Sequence, residues 1–248
     1  MGRGKGRKGY IFEIGESLLE LLYPKRCPIC EKILGRKEGR VCDGCRKKLP
    51  YIREPRCMSC GKVLKREEQE YCQSCEKGLH SFDQGISTFL YEKKLRHSIH
   101  RMKFQNRREY LDFYAEEMVR ESRRYLLAWK PDVLIPIPMY RRKEKARGYN
   151  QSRLLAEKFG RLTGIEVDCK SVIRCRETLP QKELTAQERK KNLKGAFQIT
   201  APERIKKRIL LIDDIYTTGA TVDAVSSLLK KHGAGPVYFL TICSGNGK

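Results

Sequence analysis

The stretch Ile209-Leu-Leu-Ile-Asp-Asp-Ile-Tyr-Thr-Thr-Gly-Ala-Thr221 decides the fold. Its first part, Arg208–Asp213, reads as a buried strand that ends in two acids, Asp213 and Asp214. A Thr/Gly loop follows, and Gly219–Lys231 reads as a helix closed by Gly233. Backbone N–H groups at a helix start carry the positive end of its dipole, which suits a phosphate. Thr217, Thr218 and Thr221 add hydroxyl donors, Gly219 permits close backbone approach, and Ala220 belongs to the same phosphate-binding run. The paired carboxylates then sit beside that phosphate at the carboxyl edge of a sheet, where ligands of open α/β folds bind. Their natural partners are sugar hydroxyls, reached directly or through a divalent ion. The run therefore reads as a pocket for a ribose 5-phosphate.

Working outward, strands alternate with helices from about residue 82. Ile86–Tyr91, Asp132–Pro138 and Val237–Ile242 read as strands. Leu95–Lys103, Tyr110–Trp129 and Asn150–Leu162 read as helices. In the second of these, Leu111, Tyr114, Ala115, Met118, Tyr125 and Leu126 tend to one face. The alternation implies a parallel sheet with helices on both faces. A basic loop is expected after the strand at 132–138, with Arg141, Arg142, Lys145 and Arg147.

Ahead of this region, eight of the 11 cysteines form four C-x-x-C pairs: Cys27/Cys30, Cys42/Cys45, Cys57/Cys60 and Cys72/Cys75. The segment Cys27–Cys45 is echoed by Cys57–Cys75. Two thiolates three positions apart grip one tetrahedral ion from a tight turn, and two such turns close a shell of four around zinc. Two structural zinc ions follow, paired either in sequence or in a cross-brace. Four cysteines per ion leave no open coordination position, so these are folding staples. Cys169, Cys175 and Cys243 read as plain thiols, and the four histidines lack ligand spacing with the cysteines. The expected organisation is a basic tail and amphipathic helix (1–24), a double zinc ribbon (25–80) and an α/β domain (82–248).

The chain has 53 Lys+Arg against 30 Asp+Glu, a formal charge of +23. That excess exceeds what solubility needs and points to a polyanionic partner. Basic stretches lie at Arg3–Lys8, Lys93–Arg108, Arg141–Arg147, Arg189–Lys194 and Arg204–Arg208, with Tyr91, Phe104, Tyr110, Tyr140 and Tyr149 among or beside them. Basic grooves with stacking aromatics suit single strands without sequence preference. No apolar run is long enough for an integral membrane segment. Acids at Glu13, Glu16 and Glu20 spoil a secretory signal, so a cytoplasmic location is the expectation.

Three motifs in order carry a resemblance. They are the strand ending Pro136-Ile-Pro138 with its basic loop and Arg147-Gly-Tyr-Asn-Gln151; then Thr178, Gln181, Arg189, Asn192 and Ala196-Phe197; then Asp213 to Thr221. Behind an N-terminal double zinc ribbon, this pattern resembles the ComF family of competence-associated proteins over nearly the whole chain. The resemblance implies a type I phosphoribosyltransferase-like domain that binds 5-phosphoribosyl 1-diphosphate (PRPP) with magnesium. It implies that Asp213 and Asp214 hold the ribose hydroxyls, Thr217–Thr221 the 5-phosphate, and Arg141, Lys145 and Arg147 the diphosphate. Thr178–Arg189 would close over the site, with Arg189 or Lys182 on the departing diphosphate. It also implies a part in natural transformation, handling single-stranded DNA beside a competence helicase at the inner face of the membrane. The alternative is an active phosphoribosyltransferase of nucleotide metabolism with an unidentified acceptor. No segment reads as a base-specific hood, and the basic loop is long, which suits a phosphate-backbone ligand.

Overall fold

The structure, a computed structural model, describes residues 24–35, 38–78, 80–178, 188 and 192–245. The expected tail and helix at 1–24 lie outside these residues, apart from Pro24. The chain divides into two compact units, with Leu49 the last residue of the first and Pro50 the first of the second.

In the first unit, Cys27 and Cys30 flank a tight turn, and Cys42 caps a one-turn helix, α1 (Asp43–Arg46). Cys27 N–H donates to Lys32 O, Glu31 N–H to Cys27 O and Leu34 N–H to Lys25 O. The second unit repeats this in Cys57 N–H to Lys62 O, Gly61 N–H to Cys57 O and Leu64 N–H to Pro55 O. Cys72 there caps the matching helix, α2 (Gln73–Glu76). The sequence echo is thus a repeated knuckle. One position differs for a physical reason. Both Glu31 (φ 63°) and Gly61 (φ 66°) are left-handed. At Gly61 a Cβ would stand 2.5 Å from Gly85 O, so only glycine fits there.

The rest of the second unit is a five-stranded parallel sheet. Its strands are β1 (Gln84–Leu90), β2 (Val133–Pro136), β3 (Glu166–Val167), β6 (Ile209–Tyr216) and β7 (Val237–Ser244). Their order is β1-β7-β6-β2-β3, and each neighbouring pair is parallel. Flanking them are α3 (Lys93–Phe104), α4 (Tyr110–Trp129), α6 (Gln151–Thr163) and α7 (Ala220–Lys231). The strand cores are buried on both faces, and Ile209, Leu210, Leu211 and Ile212 are all inaccessible. Alternation sorts the two sides: Val133, Ile135, Ile209, Leu211, Val237 and Phe239 share one core with Cys57, Cys60, Cys72 and α7. The second knuckle is therefore part of the α/β core.

Helix ends follow local chemistry. Asn150 caps α6, its Oδ1 accepting from Ser152 N–H and Arg153 N–H, and Gly164 in the left-handed region ends it. Lys130 (φ 45°) and Pro131 end α4. No helix among the described residues is long and apolar enough to cross a membrane.

Two features depart from the expectation. The basic segment after β2 is a two-turn helix, α5 (Arg141–Arg147), stopped by Gly148 (φ 85°), and not an open loop. A two-stranded antiparallel pair, β4 (Val172–Arg174) with β5 (Phe197–Ile199), stands apart from the main sheet. Strands of three residues are too short to show a period in sequence.

Candidate functional site

At the carboxyl end of β6 a pocket of about 710 Å³ opens. Asp213, Asp214, Thr217 and Thr221 line it, so both acids and two of the three loop hydroxyls read from sequence meet in one place. Thr218 lies outside the lining, its hydroxyl buried and without a hydrogen-bond partner. Gly219 (φ 79°) turns the chain into α7, and a Cβ there would stand 2.6 Å from the Tyr216 hydroxyl. Only glycine combines that φ with that approach.

The two acids are held differently, because neighbouring strand residues point to opposite sides. Asp213 Oδ1 accepts from Ser152 Oγ–H at 2.7 Å and from Asp214 N–H at 2.9 Å. Asp214 is buried and ion-paired with Lys103 of α3. Burial and then the Asp214 charge push the Asp213 carboxyl up to about 7, outweighing the hydrogen bonds that favour its charged form.

Lys103, Lys143, Arg147 and Arg174 also line the pocket, giving four cations to two carboxylates. Arg147 Nη1–H donates to Gln151 Oε1 at 2.5 Å and packs over the Phe104 ring. Arg174 donates to the Thr178 hydroxyl, but its Nε is buried without a hydrogen-bond partner. Burial lowers the Arg174 pKa while Asp213 opposes that shift. The arrangement is a partly buried, cationic chamber with a carboxylate pair at one side. Such a chamber fits a polyanion that also carries hydroxyls.

Of the cations read from sequence, Arg147 lines this pocket. Arg141 instead lines an adjoining cleft of about 420 Å³, and Lys145 is exposed on α5 outside both linings. Arg189, Lys182 and most of Thr178–Arg189 lie outside the described residues. Lys103 and Lys143 were read from sequence only as members of basic stretches, and Ser152 and Arg174 were given no role in the pocket. They reach the pocket from α3, α5, α6 and β4, and no local pattern announces that meeting.

The eight cysteines fall into two quartets, Cys27/Cys30/Cys42/Cys45 and Cys57/Cys60/Cys72/Cys75, with the sulfurs of each within 4.8 Å of one another. The pairing is sequential, which closes the cross-braced alternative. Cys30 and Cys42 Sγ are 3.7 Å apart, and Cys60 and Cys72 Sγ 3.6 Å. Tetrahedral zinc with Zn–S near 2.3 Å requires about 3.8 Å between sulfurs. Each quartet therefore suits one structural zinc ion.

Residues 18–76 match the double zinc ribbon domain family. Over 217 residues the chain is 33% identical to Competence protein F of Haemophilus influenzae, covering 84% of this chain and 92% of that one. It is 33% identical to DNA utilization protein YhgH of Escherichia coli over 62% of this chain and 68% of the relative. Competence protein ComFC of Bacillus subtilis is 29% identical over 64% and 63%.

Proposed function

The chain belongs to the ComF family of competence-associated proteins, and on that premise we propose that it serves DNA uptake as a PRPP-binding protein that handles single-stranded DNA. The names of its relatives, competence proteins and DNA utilization proteins, support the DNA side of this reading. The ribose-phosphate side rests on one observation: Asp213, Asp214, Thr217 and Thr221 share a pocket with Lys103, Lys143, Arg147 and Arg174.

In this reading Asp213 and Asp214 accept from the ribose hydroxyls, and the Thr217–Thr221 turn holds the 5-phosphate. Arg147, Lys143 and Arg174 face the diphosphate, with Arg141 and Lys145 raising the local potential from α5. The segment Thr178–Arg189 closes over the site and, in the catalytic reading with an acceptor, Arg189 stabilises the diphosphate as it departs. A magnesium ion brought in with PRPP would be held by the two carboxylates and would neutralise diphosphate charge. The protein works in the cytoplasm, beside a helicase at the inner face of the membrane.

Calorimetric titration of magnesium-PRPP into zinc-loaded protein tests the pocket. Saturable heat that disappears in Asp214→Asn is the expected result. Absence of binding in the folded wild type would remove the ribose-phosphate reading.

Catalysis with transfer to an acceptor is the second reading. The adjoining cleft favours it, because it shares Pro138, Met139, Asn150 and Arg174 with the main pocket and so offers room beside the sugar. Diphosphate released from bound PRPP on addition of nucleobases would select it over binding alone.

A further inference from the structure

A separate hollow of about 490 Å³, sharing no lining residue with the main pocket, is lined by Arg53, Arg56, Arg120, Arg123 and Arg124, with the exposed Leu127 beside them. None of these arginines falls in the basic stretches that the sequence displays. They come together because the chain at 50–56 runs alongside β1, with Ile52 N–H donating to Thr88 O and Leu90 N–H to Pro50 O. The last turns of α4 then bring the other three arginines.

Two observations indicate a built anion site. The Arg56 side chain is only 9% exposed, yet its Nε is buried with no hydrogen-bond partner. Its terminal nitrogens donate to Ile52 O and Ser87 O, and the Glu54 carboxylate stands 4.0 Å from Nε, beyond hydrogen-bond reach. Glu54, shared with Arg124, is thus only a loose counter-charge for Arg56, and the unused Nε donor leaves a place for a further acceptor. The second observation is that neighbouring guanidinium planes are held by rings. Arg53 and Arg120 lie over Tyr51 at 4.9 and 5.2 Å, and Arg124 lies over Tyr125 at 4.7 Å.

Acids are present but fewer. Arg53 pairs with Glu121, both Arg124 and, at 4.0 Å, Arg56 with Glu54, and Arg120 with Glu117 and Glu121. Arg123 has no carboxylate partner among the described residues. Five arginines face Glu54 and Glu121 in the lining, with Glu117 behind them, so positive charge remains in excess.

We propose that this hollow binds the phosphodiester backbone of single-stranded DNA, with one phosphate seated toward Arg56 and its neighbours on Arg53, Arg123 and Arg124. The assignment rests on the DNA reading above and gives it a location. An extended strand fits better than a lone phosphate because the arginines come from two elements. Leu127 and Tyr125 also add apolar surface for sugars and bases.

The test is fluorescence anisotropy of a labelled oligothymidine with full-length, zinc-loaded protein across a salt series. It compares wild type with Arg53→Gln/Arg123→Gln/Arg124→Gln. All three positions are exposed, so the fold should persist, and circular dichroism checks that it does. Each lost contact to a single strand lowers the slope of log affinity on log salt by about 0.7, so the triple variant should lose about 2. Wild type that binds while the variant keeps its full slope overturns the site and spares the DNA reading. Wild type that fails to bind even at low salt overturns both. Displacement of the strand by inorganic phosphate at matched ionic strength would assign the hollow to a free phosphate and overturn the strand.

Discussion

Asp213 shows how a single carboxyl is tuned by its place at the end of a buried strand. Its folded value near 7 lies above the 3.8 of an unperturbed aspartate, first through burial and then through Asp214. A carboxyl raised in the fold stabilises it while protonated. That contribution is complete below about pH 4 and disappears as pH rises through about 7. Wild-type stability should therefore fall between about pH 5 and about pH 8 by an amount that Asp213→Asn removes, and urea denaturation at the two ends measures it. Binding of magnesium-PRPP should run the other way. The charged carboxylate is the acceptor, so affinity should rise over the same window and flatten in Asp213→Asn. Both acids were legible because strand, acids, loop and helix start are contiguous. Ser152, Lys103 and Arg174 were not, because packing alone brings them together from three elements.

Among the elements, α5 and the second knuckle teach opposite lessons. Arg141–Arg147 has no apolar period, so its sequence reads as a loop. It is nevertheless built from good helix formers and ends at a left-handed Gly148, and propensity with a stop signal is enough for two turns. That geometry leaves Arg147 as the member of this basic set, among those read from sequence, that lines the pocket. The knuckle, by contrast, was legible down to its repeat, while its docking was not. Gly61 is where that docking is tightest, with Gly85 O and Ile86 Cα both inside 3 Å of a hypothetical Cβ. Gly61→Ala must then strain φ and push backbone from backbone, costing about 3 kcal/mol or more. The midpoint in urea should drop accordingly. A variant with wild-type stability would show that the knuckle sits more loosely against β1 than this contact requires.

For the molecule as a whole, charge and metal set its chemistry. The +23 formal charge is spread over surfaces that sequence runs only partly reveal, since the hollow around Arg56 is assembled from residues far apart in the chain. Zinc analysis should return about two ions per chain, one for each quartet. The two ions are not equivalent in their setting. The second quartet shares its core with Tyr216 and Ala220, at the turn where β6 gives way to α7. Tyr216 is buried in that shared core, its ring stacked on Phe239 at 4.5 Å under the Lys62 ammonium and its hydroxyl beside Gly219. That same hydroxyl is the atom a Gly219 side chain would strike. Cys60→Ser and Cys30→Ser should each lose one ion, but only Cys60→Ser should also weaken magnesium-PRPP binding. Tyr216→Phe should weaken it with both ions retained. Equal PRPP affinity in all three proteins would sever the link. If it holds, the second ribbon makes sugar-phosphate capture conditional on zinc supply.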